Sequence, residues 1–307
     1  MIRFIFRRLF FLILTAVLIV FFVHLGMRMA ANSTSAVPNF DLGSQAATAW
    51  SQTRAYLRLL PTGSFGIINQ NGNPLSVRSL VLQSYLNSMG LLLSALAAAA
   101  LLGGVVGALL ALTRLRRLTT PVLTLTVLGV STPSFFAALL LQQGEIFFLR
   151  ETGFRLVRVA GFGWSYEYML LPLLVLMARP LAYLTRAVYL NLRRVMGEDY
   201  IRTARSKGLS FAKIVNAHAV RNVAVPVLTA LGVSLRFSLG SLPIVEIFFG
   251  WPGLGQTLLA AVDARQTVLA VTLALALGLT ILGTNLLLDI IYRLIDPRLR
   301  VEHEASG

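Results

Sequence analysis

The stretch Arg193–Asn222, RRVMGEDYIRTARSKGLSFAKIVNAHAVRN, interrupts an otherwise apolar chain. It holds seven basic and two acidic residues, although only 13% of all residues are charged. The segment Glu198–Lys207 predicts a helix, Gly208 can adopt the positive φ that ends one, and Ser210 can cap another. The stretch therefore predicts a basic helix–turn–helix, here called the elbow, in water between two membrane spans. The simpler alternative is a solvated loop whose charge only fixes the topology.

Composition is typical of an integral membrane protein. Of the 307 residues, 56% are hydrophobic and the mean hydropathy is +0.76, whereas a soluble domain carries about 25% charged residues. The net charge of +15 comes from basic residues beside apolar runs, which the positive-inside rule explains without nucleic acid. There is no Cys, and the three His lie far apart. We therefore expect no nucleic-acid partner, no metal site and no cofactor in this chain.

Six apolar segments are long enough to span a bilayer. They are Leu9 to Met27, Asn87 to Leu112, Leu118 to Gly144 (interrupted by Pro121 and Pro133), Tyr168 to Leu190, Val223 to Val245 and Thr267 to Leu288. The first exceeds the apolar core of a signal peptide, so it is expected to remain as a span. The strongly basic short loops all fall on one side. The sequence therefore predicts an all-α polytopic membrane protein with six transmembrane helices and both termini in the cytoplasm.

This topology divides the chain into four parts. Residues 1–27 are the N-terminus and first span, 28–86 an external segment, 87–295 a five-helix core that includes the elbow, and 296–307 a cytoplasmic tail. The loop Glu145–Glu167 is also expected outside. Residues at helical spacing in the external segment predict one short amphipathic helix, stopped by Pro61-Thr62-Gly63. Its apolar face is expected to contain Ala46, Trp50, Thr53, Leu57 and Leu60.

Four motifs resemble one known family. The elbow residues Glu198 to Leu209, followed by His218-Ala219 and Arg221-Asn222, resemble the EAA-type loop of ABC importer permeases of the dipeptide, oligopeptide and nickel branch. Glu246 to Gly255, EIFFGWPGLG, is similar to that branch's E-x-x-F-x-W-P-G-L-G signature. Two weaker similarities are Ser131 to Phe135 in the third span and Asn285 to Arg298 at the C-terminal end. The resemblance follows the whole chain in span order and is dense from about Leu181 onward.

The resemblance implies a type I ABC importer permease fold in which the elbow is a coupling helix docked on a cytoplasmic ATPase. Thr203, Ala204 and Gly208 match the A-A-x-x-x-G positions of the motif, and Arg202 stands where many permeases have Glu. Tyr200 can anchor a partner by its ring, and Arg202, Arg205 and Lys207 by charge. The full set of expected coupling residues is Glu198, Asp199, Tyr200, Arg202, Thr203, Ala204, Arg205, Lys207 and Gly208.

The resemblance also implies partners. These are a second, homologous permease, two ATPase subunits that bind ATP and Mg, an extracytoplasmic solute-binding protein, and the bacterial or archaeal inner membrane. The sequence has no G-x-x-x-x-G-K-[ST] loop, in keeping with nucleotide bound elsewhere and with a permease that is not itself an enzyme. Three external motifs of the peptide branch are altered, at Leu25 to Ala31, at Gly63 to Gly66 and at Arg265 to Val268. These changes leave the solute open.

Two arginines lie inside predicted spans. Arg179 and Arg236 each sit roughly 16–20 Å into a helix, where a charge costs about 2.5–3.5 kcal/mol and normally faces water or the bundle interior. One hypothesis is that both line the translocation path, with Glu246, and favour a carboxylate or another anionic group. The alternative is structural: Arg236 pairs with an acid such as Glu246 or one on a partner, and Arg179 snorkels to the cytoplasmic side.

Two further interpretations stay open. The turn Trp251-Pro252-Gly253 is either an external gate of the cavity or holds an interfacial aromatic anchor. A different class of protein, an ion-gradient-driven secondary transporter, would use Arg179, Arg236 and Glu246 as a relay. That design predicts inverted repeats or broken helices with ionisable groups at matching depth, and the sequence shows no convincing repeat.

Overall fold

The computed structural model describes residues 2–33, 41–63, 65–70, 73–113 and 116–295. The predicted tail 296–307, with the motif residues Asp296 to Arg298, lies outside these ranges. The described chain is almost entirely helical. Its helices are α1 Ile2–Ser33, α2 Leu42–Leu59, α3 Val77–Leu112, α4 Arg116–Ser131, α5 Ser134–Thr152, α6 Tyr166–Val195, α7 Asp199–Ser206, α8 Phe211–Ile214, α9 Val220–Phe249, α10 Leu254–Asp263 and α11 Thr267–Ile295.

Five of these helices, α1, α3, α6, α9 and α11, are long and apolar enough to cross a membrane. The count is six if α4 and α5, bent by 109° at a short break, together form one span. The fold class, an all-α polytopic membrane protein, is therefore confirmed. The third predicted span is broken at Thr132-Pro133, because the proline cannot continue α4, while Pro121 lies within α4 without breaking it.

The described residues form two compact units. One contains residues 1–90 and 250–286, and the other contains 91–249 and 287–307, apart from the residues outside the described ranges. The first holds a strand pair that the sequence analysis did not predict, β1 Ile67–Gln70 antiparallel to β2 Asn73–Ser76. After this hairpin α3 begins at Val77, ten residues before the predicted start of the second span.

Helix α2 confirms the predicted amphipathic helix and the predicted burial of Thr53, but its buried face is shifted from the predicted one. Its buried side chains are Gln45, Ala49, Thr53 and Tyr56, while Trp50 is 39% exposed. Gln45 accepts a hydrogen bond from Arg28 Nε (3.2 Å), and the Tyr56 hydroxyl donates to Thr272 Oγ1 (3.0 Å). Polar groups with such partners are buried at little cost, so apolar spacing alone misplaced the face. The helix stops as predicted, with a 3₁₀ turn at Leu60–Thr62 and Gly63 at φ +63°.

The second unit is organised around α6, whose buried face contains residues from Leu171 to Leu192. Two glycines of α3 let that helix approach α6 closely. At Gly107 an added Cβ would lie 2.7 Å from the Thr185 carbonyl oxygen, and at Gly103 it would lie 3.0 Å from Leu184 Cβ. Small residues permit such contact in lipid, where packing drives helix association. This packing holds α3 against α6, the helix that carries Arg179 and precedes the elbow.

Candidate functional site

The elbow folds as the sequence predicts. Helix α7 ends at Ser206 with Lys207 as its C-cap residue, and Gly208 follows with φ +73°, a conformation that glycine adopts without strain. The Leu209 N–H donates to the Ala204 carbonyl (3.2 Å), which closes the turn. Ser210 then caps α8 by accepting a hydrogen bond from the Lys213 N–H at 3.4 Å. The two short helices are thus held at a fixed angle.

Helix α7 has two distinct faces. Ile201 and Ala204 are buried against Ile214 of α8, with Leu209 of the turn packed beside them. The basic residues lie on the other face, and Arg202 and Arg205 are exposed. This small internal core lets the elbow keep its shape while one face stays open. A rigid basic surface on a loop is suited to binding another protein.

The exposed face of α7 is polar, and its charges form only a weak surface ion pair. Arg202 lies 3.4 Å from Asp199, and both side chains are more than 70% exposed. Such surface ion pairs contribute little to stability, so the charges stay available to a partner. Tyr200 is 43% exposed, and its hydroxyl accepts a hydrogen bond from Asn222 Nδ2 (3.2 Å). Tyr200 therefore links α7 to the start of α9 while its ring faces outward.

The elbow joins the long helices through an apolar cluster. Leu192 near the end of α6 packs with Ala219 and Val223, which straddle the start of α9. Ala108 and Leu112 of α3 pack against the same cluster. A π-helical turn, Val215–Ala219, connects α8 to α9 without a loop. The elbow thus follows α6 after the short turn 196–198 and continues into α9 through the π-helical turn, with the apolar cluster holding the two long helices together at this point.

The two intramembrane arginines have different partners in the structure. Arg236 on α9 donates to Asp289 Oδ1 of α11 at 2.7 Å, and Tyr292 lies beside its guanidinium. The predicted pairing of Arg236 with an acid is thus confirmed, although the acid is Asp289 and not Glu246. Glu246 is fully buried on the same helix, ten residues further on or about 15 Å along the axis.

Arg179 has a different environment. Its guanidinium lies over the Phe237 ring, 5.2 Å from the centroid, and among the described residues no acid lies within ion-pair distance of it. It lines a cavity of about 180 Å³ within the second unit. The remaining lining residues are Gly129, Thr132, Ser134, Ala137, Val175, Leu176, Ala178, Phe237, Ser238 and Ser241.

The turn after α9 is fixed by polar contacts within the first unit. Trp251 is fully buried, and its Nε1 donates to the Asn87 carbonyl at 3.1 Å. The Asn87 amide in turn donates to the Pro252 carbonyl (3.0 Å), and Ser88 Oγ accepts from the Leu254 N–H (2.7 Å). A tryptophan buried in this way is not an interfacial anchor. The predicted gate residues Trp251, Pro252 and Gly253 therefore lie in a turn that is hydrogen-bonded to Asn87 and Ser88, here called the latched turn.

The sequence analysis missed two polar residues on α5. Glu145, expected in a solvated loop, is instead buried at 7% exposure, and its Oε1 accepts from the N–H groups of Leu156 and Val157 at 2.9 and 3.1 Å. Gln142 donates to the carbonyls of Val159 and Phe248. The polar run Gln142 to Glu145 inside an apolar stretch was the available signal. These residues hold the segment after α5 against the end of α9.

Within the described ranges no group of three His, Asp or Glu side chains is placed to hold a metal ion.

Comparison with known proteins identifies the family. Residues 103–301 match the family described as the binding-protein-dependent transport system inner membrane component. A dipeptide transport system permease protein of Haemophilus influenzae is 33% identical over 222 residues, which cover 65% of this chain and 67% of that protein. A glutathione transport system permease protein of Salmonella choleraesuis is 32% identical over 245 residues, or 80% and 78% of the two chains.

A second dipeptide permease, from Escherichia coli, is 37% identical over 155 residues, which cover 48% of this chain and 46% of that protein. The family match alone covers well over half of the chain, and it includes the elbow, the cavity and the latched turn. The chain is therefore a multi-pass inner-membrane protein that belongs to the family of binding-protein-dependent transport permeases, and it is a permease subunit of an ABC importer rather than an enzyme.

Proposed function

We propose that this chain forms half of the translocation pore of an ATP-driven importer for peptides or similar small solutes. The relatives named for dipeptide and glutathione transport support this solute class. The observation that carries the proposal is the elbow, a self-packed basic helix pair whose two ends continue into α6 and α9. A permease that only needed a topological signal would not need a loop with its own core.

The elbow transmits movement from the ATPase. The ring of Tyr200 and the charges of Arg202, Arg205 and Lys207 recognise a groove on the ATPase surface, as aromatic and arginine side chains do at protein interfaces. Gly208 and Ser210 hold α7 and α8 at one angle, so the helix pair moves as one body. When the ATPase pair closes on ATP, this motion passes through the apolar cluster around Leu192 to the spans.

The assembly has further components. A second, homologous permease supplies the other half of the pore, most simply as a heterodimer. Two ATPase subunits bind ATP and Mg, and an extracytoplasmic binding protein delivers solute. The complex lies in a bacterial or archaeal inner membrane, with both termini of this chain and the elbow on the cytoplasmic side. The part 28–86 faces outward, where the binding protein docks.

The translocation path runs beside Arg179, Arg236 and Glu246, with different roles for the three. Arg236 is held by Asp289 and stabilises the bundle, and buried Glu246 lies near the outer end of α9. Arg179 faces the cavity. Trp251, Pro252 and Gly253 form the external gate, and the bonds to Asn87 and Ser88 represent its closed state. An ion-gradient relay through these residues finds less support, since the Arg236 charge is already paired.

Reconstitution tests the proposal. The chain is purified with an affinity tag from its native membrane, and whatever co-purifies is placed in proteoliposomes with ATP inside or outside. We expect a second permease and ATPase subunits in the preparation, and uptake of dipeptides or glutathione that needs both ATP and the binding protein. Uptake by the chain alone, driven by an ion gradient and abolished by an ionophore without any need for ATP, would contradict it.

A further inference from the structure

Arg179 is the one intramembrane arginine of the described spans that lines a cavity and lacks an acidic partner. A guanidinium at this depth costs about 2.5–3.5 kcal/mol unless it meets water or a counter-charge. Arg236, about as deep in α9, meets this need through Asp289 at 2.7 Å. Within the described part of the chain, the partner found for the Arg179 guanidinium is the Phe237 ring, a weak electrostatic partner. The positive charge of Arg179 therefore suggests that an anionic group binds in the cavity.

The broken helix presents a second source of positive potential. Helix α5 begins at Ser134, which lines the cavity, after a 109° bend from α4. Its N-cap residue is Pro133, which has no side-chain acceptor for the N–H groups of the first turn. Such a helix N-terminus carries about half a positive charge, and discontinuous helices in transporters direct theirs at anionic substrate groups.

A buried hydroxyl completes the set. Ser238 is 2% exposed and lines the same cavity, and its Oγ has no hydrogen-bond partner among the described residues. Buried hydroxyls are nearly always paired, so one left open beside a cavity suggests a bond made to a ligand. Among the described residues, no acidic side chain lines this cavity. The Arg179 charge, the N–H groups at the start of α5 and the Ser238 hydroxyl therefore all favour a negatively charged hydrogen-bond acceptor in this cavity.

We infer that the cavity is a carboxylate-binding subsite on the translocation path, with Arg179 as the charged donor and Ser238 and the α5 N-terminus as supporting donors. This inference rests on the proposed import of peptide-like solutes, and it specifies that the site holds the terminal carboxylate of the solute. The volume of about 180 Å³ greatly exceeds the roughly 10–15 Å³ that one water needs, so a carboxylate and part of its neighbouring residue fit.

The test compares two solute pools in the reconstituted full importer. One pool is a mixed tripeptide library with free C-terminal carboxylates, and the other is the same library amidated at the C-terminus. Initial ATP-dependent uptake of each pool is measured by mass spectrometry, and the acid-to-amide ratio is the readout. Because each variant supplies both rates, a variant with lower overall activity still gives a valid ratio.

We expect the unaltered importer to favour the acid pool by about 10-fold or more, the discrimination that a charge-assisted hydrogen bond supplies. Arg179→Gln should bring the ratio close to one. Arg179→Lys keeps the charge but loses the two-donor fork and should give an intermediate ratio. Ser238→Ala should lower the ratio about 3-fold, because a hydroxyl bonds a carboxylate more strongly than it bonds the neutral amide. The control Arg186→Gln removes an exposed charge two turns further along α6 and should keep the full ratio.

The outcomes separate this inference from the proposed function. If the unaltered importer takes up both pools equally, or if Arg179→Gln keeps the preference, the carboxylate subsite is rejected while ATP-driven peptide import stands. A phospholipid phosphate seated in the cavity would also give equal uptake, and would reject it. If neither pool is taken up with ATP, the proposed peptide class fails first. Should Arg179→Gln not assemble with its ATPase, unchanged ratios in Arg179→Lys and Ser238→Ala would reject the subsite.

Discussion

The close approach of α3 to α6 predicts unequal effects for two glycines that are three residues apart. A Cβ added at Gly107 would lie 2.7 Å from the Thr185 carbonyl oxygen and 2.8 Å from Val188 Cβ. Both distances are well below the 3.4 Å at which ordinary contact begins. At Gly104, on the same helix, nothing lies within 4 Å of an added Cβ. Substitution by alanine therefore causes a steric clash at Gly107 and none at Gly104.

The expected difference in the free energy of unfolding between Gly107→Ala and Gly104→Ala can be worked out from two contributions. Forcing one methyl group into a packed interface costs about 1–3 kcal/mol. Alanine also favours the helix over glycine by roughly 0.8–1.0 kcal/mol, a gain that both variants share. Gly107→Ala should thus be less stable than Gly104→Ala by about 1–3 kcal/mol, because the propensity gain cancels in the difference. Gly104→Ala itself should be as stable as the unaltered chain or slightly more stable.

The assay is unfolding of each purified variant by SDS in mixed micelles, followed by far-ultraviolet circular dichroism and by the mobility of the folded form. A midpoint that is lower for Gly107→Ala than for Gly104→Ala confirms the packing. Equal midpoints would refute the reasoning, since they would mean that α3 and α6 separate freely at this point. Gly103→Ala, with its nearest contact at 3.0 Å, should fall between the two.

Three further outcomes follow from the polar contacts. Glu145→Ala leaves the buried N–H of Val157 and the part-buried N–H of Leu156 without an acceptor and should lower the free energy of unfolding by about 1–3 kcal/mol, whereas Glu145→Gln, which keeps an acceptor, should cost less. In a double-mutant cycle, Arg236→Gln and Asp289→Asn should be less damaging together than their separate effects on unfolding imply, and an additive cycle would show that the pair is not coupled. Hydrogen bonds from the Ser44 side chain, and then from nearby backbone N–H groups, lower the pKa of Asp41. The stabilisation from this α2 cap is therefore complete above the ordinary carboxyl pKa and is lost as pH falls through the lowered pKa, so amide exchange at the start of α2 should speed up in acid. Asp41→Asn should remove this pH dependence.

Much of the elbow could be predicted from the sequence because its determinants are local. A positive-φ glycine at Gly208 and a cap at Ser210 act within a few residues of themselves, and the basic composition marks the segment as aqueous. The span positions also follow from composition, since a bilayer imposes one length on every helix. These features are confirmed by the helix bounds of α7, α8 and the five apolar helices.

The rest depends on partners distant in sequence. The buried face of α2 is set by Tyr56 meeting Thr272, a contact between residues more than two hundred positions apart. Likewise the acid that pairs with Arg236 lies on α11, and apolar spacing contains no information about which of several acids it will be. Pro133 explains why α4 ends, but the size of the 109° bend before α5 could not be predicted from it, because prolines also lie inside α4, α6 and α9 without ending those helices.

The most direct test of the account is cross-linking from a single cysteine, which the chain permits because it contains no native Cys. Arg205→Cys places a thiol on the exposed face of α7, and Arg58→Cys places a matched one on α2, where the proposed topology faces outward. In native membranes labelled with a maleimide–benzophenone reagent, whose maleimide end alkylates the introduced thiol and whose benzophenone end inserts on illumination into C–H bonds of whatever protein lies beside it, the account predicts a cross-link from position 205 to an ATPase subunit and none from position 58. A cross-link to the ATPase from position 58, or none from position 205 in an assembled importer, would contradict the coupling role of the elbow.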